Sequence, residues 1–244
     1  MDFLSTPVNV TQLLSRLKEL EKTSSKAFTL PLSEGDCVAA LTASYRSIVA
    51  THGLPYDDSA QQKGLITEMA HFLVSPGHRR GMIMMGVPGC GKTTAVLALQ
   101  RLISLMNLAD PVESCPENLV RASLEVVDAK EVIRCYQHAY NDSSAFSHYK
   151  RHSMLAIDDL GEEQKGKMEF GQMTFPVNEL VEYRYSRQLF TIITTNLYFE
   201  QQYDAATGRQ MPGLTEIYGN RFSDRLREMM FPVVFDRPSY RSKK

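Results

Sequence analysis

Apolar residues in the first third of the chain recur at helical spacing. Val10, Leu13, Leu14, Leu17 and Leu20 fall on one face of a helix, and Lys18, Glu19, Glu21 and Lys22 cover much of the rest. Thr23-Ser24-Ser25 breaks the pattern. A second helix is predicted from about Asp36 to Thr51, closed by Gly53, and Leu54 to Asp58 reads as a linker. Ser59 with Gln62 forms a capping box ahead of Leu65, Ile66, Met69, Phe72 and Leu73 on one face; Pro76-Gly77 ends that helix. Such stripes read first as core and second as a groove for a partner. From Arg79 onward the pattern changes. Short apolar runs (Met82–Met85, Leu124–Val127, Met154–Ile157, Thr191–Thr194, Pro232–Phe235) alternate with helical spacing, first from Thr94 to Leu105. Alternation predicts an α/β fold: a central parallel sheet flanked by helices on both faces, with ligands at the C-terminal ends of the strands.

Composition adds little. With 244 residues, 43% of them hydrophobic and 23% charged, the chain has the make-up of a soluble globular protein of one large domain or one domain plus a small one. A net charge of −1 means that any nucleic-acid contact must come from a local patch. No apolar run reaches membrane-span length, and the chain does not begin with a basic-then-apolar signal pattern. Cys37, Cys90, Cys115 and Cys135 lack metal-site spacing, so a reducing cytoplasm is expected.

The chemistry centres on Gly86-Val87-Pro88-Gly89-Cys90-Gly91-Lys92-Thr93, which fits G-x-x-x-x-G-K-[ST], the phosphate-binding P-loop. A polyphosphate must be wrapped closely by backbone N–H groups, and the three glycines reach backbone angles closed to other residues. Lys92 suits the β- and γ-phosphates of ATP and Thr93 suits Mg²⁺, while the following helix adds the positive end of its dipole. Ser153-Met154-Leu155-Ala156-Ile157-Asp158-Asp159 is an apolar strand ending in two acids, the Walker B pattern. Asp158 would hold Mg²⁺ through water, and Asp159 would orient and deprotonate the attacking water. Glu162 and Glu163 are alternative bases. Asp159 is one methylene shorter than the more usual Glu, so slow hydrolysis is expected. The strand Thr191-Ile192-Ile193-Thr194-Thr195 delivers Asn196, a candidate for the γ-phosphate or the attacking water, or else a turn residue. Arg221, Arg225 and Arg227 fall within seven residues, as a solvated helix face or as an arginine finger for a neighbouring subunit's ATP.

These segments, together with Pro176-Val177-Asn178-Glu179-Leu180, Glu182-Tyr183-Arg184-Tyr185 and the terminal Ser239-Tyr240-Arg241, occur in an order that resembles the DnaC/IstB-type ATPases of the AAA+ initiator branch. The resemblance covers about residues 60 to 241. It implies an ATPase that assembles on DNA and delivers a partner protein. Residues 56–244 would be the AAA+ domain, without a C-terminal lid, and 1–55 a small helical partner-binding region. ATP would lie on Gly86 to Thr94 with Mg²⁺ on Thr93 and Asp158; Lys92, Asp159 and Asn196 (sensor 1) would be catalytic. Arg221 becomes the trans finger through which subunits assemble, with Arg225 second, and Arg237 or Arg241 substitutes for sensor 2. Initiator-type ATPases carry an extra helix facing single-stranded DNA where Leu124 to Arg151 lies, so Arg134, Tyr136, Tyr140, Tyr149, Lys150 and Arg151 are candidates for backbone charge and base stacking. Three functions follow as expectations: loading a replicative helicase onto single-stranded DNA, delivering a transposase to duplex DNA, or acting as an ATP-bound switch with negligible turnover.

Overall fold

The five apolar runs are the five strands of one sheet. In the computed structural model, which describes residues 9–23, 27–115, 117–138, 144–163, 167–169, 172–204 and 208–240, the chain opens with α1 (Val10–Thr23), α2 (Glu34–Thr51) and α3 (Ala60–Val74). There follow β1 (Gly81–Gly86), α4 (Lys92–Met106), β2 (Leu124–Asp128), α5 (Ala129–His138), α6 (Ser144–Arg151) and β3 (Met154–Leu160). A small hairpin, β4 (Lys167–Glu169) with β5 (Gln172–Thr174), precedes α7 (Pro176–Ser186) and β6 (Phe190–Thr195). A second hairpin, β7 (Gln202–Asp204) with β8 (Arg209–Met211), leads to α8 (Leu214–Tyr218), α9 (Asn220–Met229) and β9 (Met230–Phe235).

The sheet order is β2-β3-β6-β1-β9, and every pairing within it is parallel. β1 is buried along its whole length because it has a neighbour on each side and a helical layer on each face. Its alternation sorts two cores. Met82 and Met84 pack with Leu41 of α2, Phe72 of α3 and Leu99 of α4. Ile83 and Met85 pack with Val132 of α5, Leu180 of α7 and Leu226 of α9. Pro232 is tolerated in β9 because that strand is an edge, paired to β1 alone.

Local signals start the helices. Ser33 accepts from the Asp36 N–H at 3.1 Å, which begins α2 two residues before its predicted start. Ser59 accepts from the Gln62 N–H at 3.2 Å and begins α3. The reciprocal half of the predicted capping box is not made. The Ser59 N–H goes to Asp57 Oδ1 at 3.1 Å, and the buried Gln62 side chain accepts from Arg237 instead.

The expected boundary near residue 55 does not separate two cores. Cys37, Leu41, Tyr45 and Ile48 of α2 are buried in the same cluster as β1 and α4, and the Ser44 hydroxyl donates to the Ala98 carbonyl of α4 at 2.6 Å. The linker Leu54–Asp58 joins two helices of one layer. Only α1 stands apart: its apolar stripe is turned outward, with Val10 61% and Leu14 53% exposed. A chain starting at residue 27 is therefore expected to keep its melting temperature within a few degrees. A chain starting at Ser59 loses six core side chains, Phe28 and Leu30 besides the four of α2, at about 1.5–3 kcal/mol for each large apolar one, comparable to a typical domain's whole stability, and is expected to be unfolded in a thermal melt.

Candidate nucleotide site

The P-loop leaves the C-terminal end of β1 and runs straight into α4, as the parallel sheet requires. No side chain caps α4, so its first N–H groups stay available to an anion. The loop is held from behind. Three successive carbonyls, those of Gly89, Cys90 and Gly91, accept from the Tyr240 N–H (3.0 Å), Arg237 Nε (2.7 Å) and the Tyr45 hydroxyl (3.2 Å). In a trans peptide the N–H points opposite its carbonyl. Pinning these carbonyls back therefore turns the N–H groups of Cys90, Gly91 and Lys92 forward, although the Cys90 N–H also makes a long 3.4 Å turn contact with the Val87 carbonyl. The glycines serve this packing as well as phosphate approach. Gly91 has φ +99°, and a Cβ there would collide with the Tyr45 hydroxyl; a Cβ on Gly86 would lie 2.6 Å from the Phe235 carbonyl.

Lys92 is buried, and its ammonium donates to the carbonyls of Gly86 (2.7 Å) and Val87 (3.0 Å) and to Asn196 Oδ1 (2.9 Å). Asn196 in turn donates from Nδ2 to Glu162 Oε1 at 2.9 Å, bridging the cation and an exposed acid. Thr93 Oγ1 donates to the Asp158 carboxylate at 3.0 and 3.2 Å, and the Thr194 hydroxyl donates to the same group. A hydroxyl beside a carboxylate is an oxygen donor set that suits Mg²⁺. The Walker B strand bulges between Ile157 and Leu160, and Asp159 sits there at φ +56°, its N–H bonded to Thr194 Oγ1 at 2.9 Å. Burial, followed by the neighbouring Asp158 charge, pushes the Asp159 carboxyl above its ordinary pKa, with Lys92 opposing.

The two alternative bases differ. Glu163 is buried and committed: it accepts from the Gly161 N–H at 2.7 Å and from the Tyr218 hydroxyl, whose own pKa is raised by burial and by that charge. Glu162 stays exposed and reaches Asn196. Among the arginines of α9, Arg225 pairs with Glu182 and lies over the Tyr185 ring, while Arg227 pairs with Glu200 over Phe199. Arg221 is 78% exposed and only 3.9 Å from Glu182 at its nearest. Arg237 is not placed as a sensor. It is buried behind the loop, with Cys90, Gln62, Tyr240 and Tyr45 as partners. Arg241 and Tyr140 lie outside the described residues.

Sequence reasoning missed this rear network, reading Gln62 as half of a capping box and Arg237 as a sensor, because Tyr45, Gln62 and the segment Arg237 to Tyr240 lie far apart in the chain. It also missed Arg184. That side chain is wholly buried and donates to Thr191 Oγ1 (2.9 Å) and to the carbonyls of Tyr149 (3.0 Å), His152 (2.6 Å) and Phe190 (2.7 Å). Burial lowers its pKa to about 9. Arg184 fastens the end of α6 to β6. Of the tyrosines expected to stack bases, Tyr136 and Tyr149 point inward: Tyr136 packs edge-on against Phe146, with ring centres 5.0 Å apart, and Tyr149 joins the same core. Lys150 pairs with Glu179 at 2.8 Å, and Arg134 pairs with Glu131 at 2.9 Å. Arg134 and Arg151 remain as exposed cations on this face.

Two outcomes follow. Arg237→Met leaves the Cys90 carbonyl and Gln62 without their buried donor, at about 1–3 kcal/mol each. It is expected to lower both the melting temperature and the affinity for a fluorescent ATP analogue. A sensor reaching the γ-phosphate would change affinity alone. Asp159→Asn is expected to stabilise the nucleotide-free protein at neutral pH. A raised carboxylate pKa means that the folded state binds more protons than the unfolded one over the window above the ordinary value near 3.8, so stability falls as pH rises through it. Asn removes that cost and tolerates positive φ. Melting curves of both proteins from pH 4 to 8 are expected to diverge as pH rises.

No protein-family model matches the chain, and no curated protein does. Among solved structures, the chain is similar to the DnaC helicase loader, with 20% identity, 74% of this chain and 93% of that one covered, and a TM-score of 0.50. It is similar to DnaI at 19% identity, with 78% and 93% covered and a TM-score of 0.51. A weaker likeness is to AMPPCP-bound DnaA from Aquifex aeolicus, at 11% identity, with 73% and 48% covered and a TM-score of 0.46. The chain therefore shares the α/β fold of the DnaC and DnaI structures, with its P-loop and Walker B strand meeting at the C-terminal edge of the sheet.

Proposed function

We propose that the chain is a Mg²⁺-dependent ATPase of DNA replication that loads a replicative helicase onto single-stranded DNA. The observation that carries this reading is the convergence of Lys92, Thr93, Asp158 and Asn196 at one sheet edge, in a fold shared with the DnaC helicase loader. Lys92 supplies a buried cation to the phosphates, and Thr93 with Asp158 supplies the metal's oxygen ligands. When bound, Mg²⁺ neutralises charge on the phosphates. Asp159 takes the proton of the attacking water, and its raised pKa makes it a stronger base than an ordinary carboxylate. Asn196 holds Lys92 on one side and the Glu162 carboxylate on the other, a position from which it can orient the attacking water.

Residues 1–55 were expected to bind the partner; with α2 committed to the core, α1 is the surface proposed to dock the helicase. Arg221 is the proposed trans finger, because it is the least tethered arginine of α9. Affinity capture with the full chain and ATP is expected to recover a helicase. Recovery of a transposase with duplex DNA instead would move the reading to transposition, and absence of turnover would leave an ATP-bound switch.

A finger in trans is worth roughly 10³–10⁵ in rate. Arg221→Ala is therefore expected to bind ATP normally and to hydrolyse it poorly, and Lys92→Ala to bind none. Mixing the two is expected to restore part of the ATPase rate, and the rate of the parent protein is expected to rise faster than linearly with concentration.

A further inference from the structure

At the edge of the sheet remote from the P-loop, α6 and β2 bring three metal-ligand side chains together. Glu125 projects from β2, His148 from α6, and His152 follows one helical turn after His148. Their ligand atoms all lie within 4.8 Å of one another. Glu125 Oε2 is 2.5 Å from His148 Nε2 and 3.6 Å from His152 Nε2. Tetrahedral zinc with ligands near 2.0–2.1 Å spaces them about 3.3 Å apart, and both glutamate–histidine distances lie within an ångström of that spacing.

Two further contacts prepare His152. Its Nδ1 lies 3.0 Å from the Met154 carbonyl and 3.4 Å from the Met154 amide nitrogen; when Nδ1 donates to that carbonyl, the Nε2 lone pair is left facing Glu125 and the Ser123 hydroxyl. The His152 backbone is held by Arg184, which donates to its carbonyl at 2.6 Å. His148 is more than half exposed, and beside it opens a cleft of about 370 Å³ lined by Glu113, Ser144, Ser147, His148, Arg151 and His152. That cleft gives a metal an entry path and water a fourth coordination position.

We propose that Glu125, His148 and His152 bind one divalent transition-metal ion of the zinc class, clipping α6 to the edge strand β2. Two imidazoles and one carboxylate select Zn²⁺ or Co²⁺ over Mg²⁺ and Ca²⁺, which take oxygen ligands. The site is separate from the Mg²⁺ ligands. Asp128 pairs with Asp158 in the sheet register and Glu125 with Leu155, which sets Glu125 roughly 10 Å back along the strand direction from the Walker B acid.

The test is titration of the tag-free full chain, stripped with a chelator, with CoCl₂ followed by visible absorption and then competition by ZnCl₂. The expected result is one saturable ion per chain, with a nitrogen–oxygen ligand spectrum, no thiolate charge-transfer band, and no displacement by excess Mg²⁺. His148→Ala and Glu125→Gln are each expected to weaken binding more than the roughly 10–100-fold typical of losing an outer-shell contact. His148 is exposed, so its replacement keeps the fold, verified by circular dichroism. Hydrogen exchange of α6 is expected to slow on adding Zn²⁺ to the parent and not to His148→Ala. A thiolate band, the absence of a saturable cobalt band, or an unchanged titration in folded His148→Ala overturns the site and leaves an ion-pair cluster.

Discussion

The nucleotide loop depends on the satisfaction of three backward-facing carbonyls. A loop whose N–H groups gather an anion has carbonyls on its other side, and a buried carbonyl without a donor costs about 1–3 kcal/mol. Here the donors come from two separate parts of the chain: Tyr45 on α2, and the segment just after β9, which supplies the Arg237 side chain and the backbone of Tyr240. Arg237 is the hub. Its guanidinium also meets Gln62 at the start of α3, while the Tyr240 hydroxyl reaches Asp57. The planar fork of an arginine serves several acceptors at once, which an ammonium point charge does not do with the same fixed geometry. Two helices and the segment after the last strand are thus fastened to one turn of backbone, and α2 cannot be detached from the sheet without loosening the P-loop.

The opposite, forward face of the loop carries unresolved electrostatic tension. Asp158, Asp159 and Glu162 crowd one cation, Lys92, and Asp159 adopts a backbone angle that costs energy in an L-residue. The bulge in β3 is what turns its side chain out of the sheet alternation. Local instability of this kind is expected where a bound cation and a reacting water compensate it. It coexists with a rigid surround: β1 is buried on both faces, and Arg184 staples α6, α7 and β6 through carbonyls, with no acid among its partners.

How far the sequence speaks depends on whether a constraint is local. The P-loop, the strand ending in Asp158-Asp159, the five apolar runs and the Ser33 and Ser59 caps are contiguous signals, because a turn, a period or a cap involves residues a few positions apart. Parallel pairing also follows from the strand–helix alternation. The strand order does not, since it rests on packing among elements a hundred residues apart. Leu41 and Leu13 carry the same apolar stripe in the sequence; only the fold buries one and exposes the other. Arg237 was expected as a sensor and Arg225 as a second finger, yet one props the loop from behind and the other pairs with Glu182. The i,i+4 spacing of His148 and His152 is visible in the sequence, but Glu125 joins them only through the packing of α6 on β2. Periodicity and motif determine which backbone forms; long-range desolvation and hydrogen-bond satisfaction determine which side chains meet, and those conditions exist only once the sheet has closed its two layers.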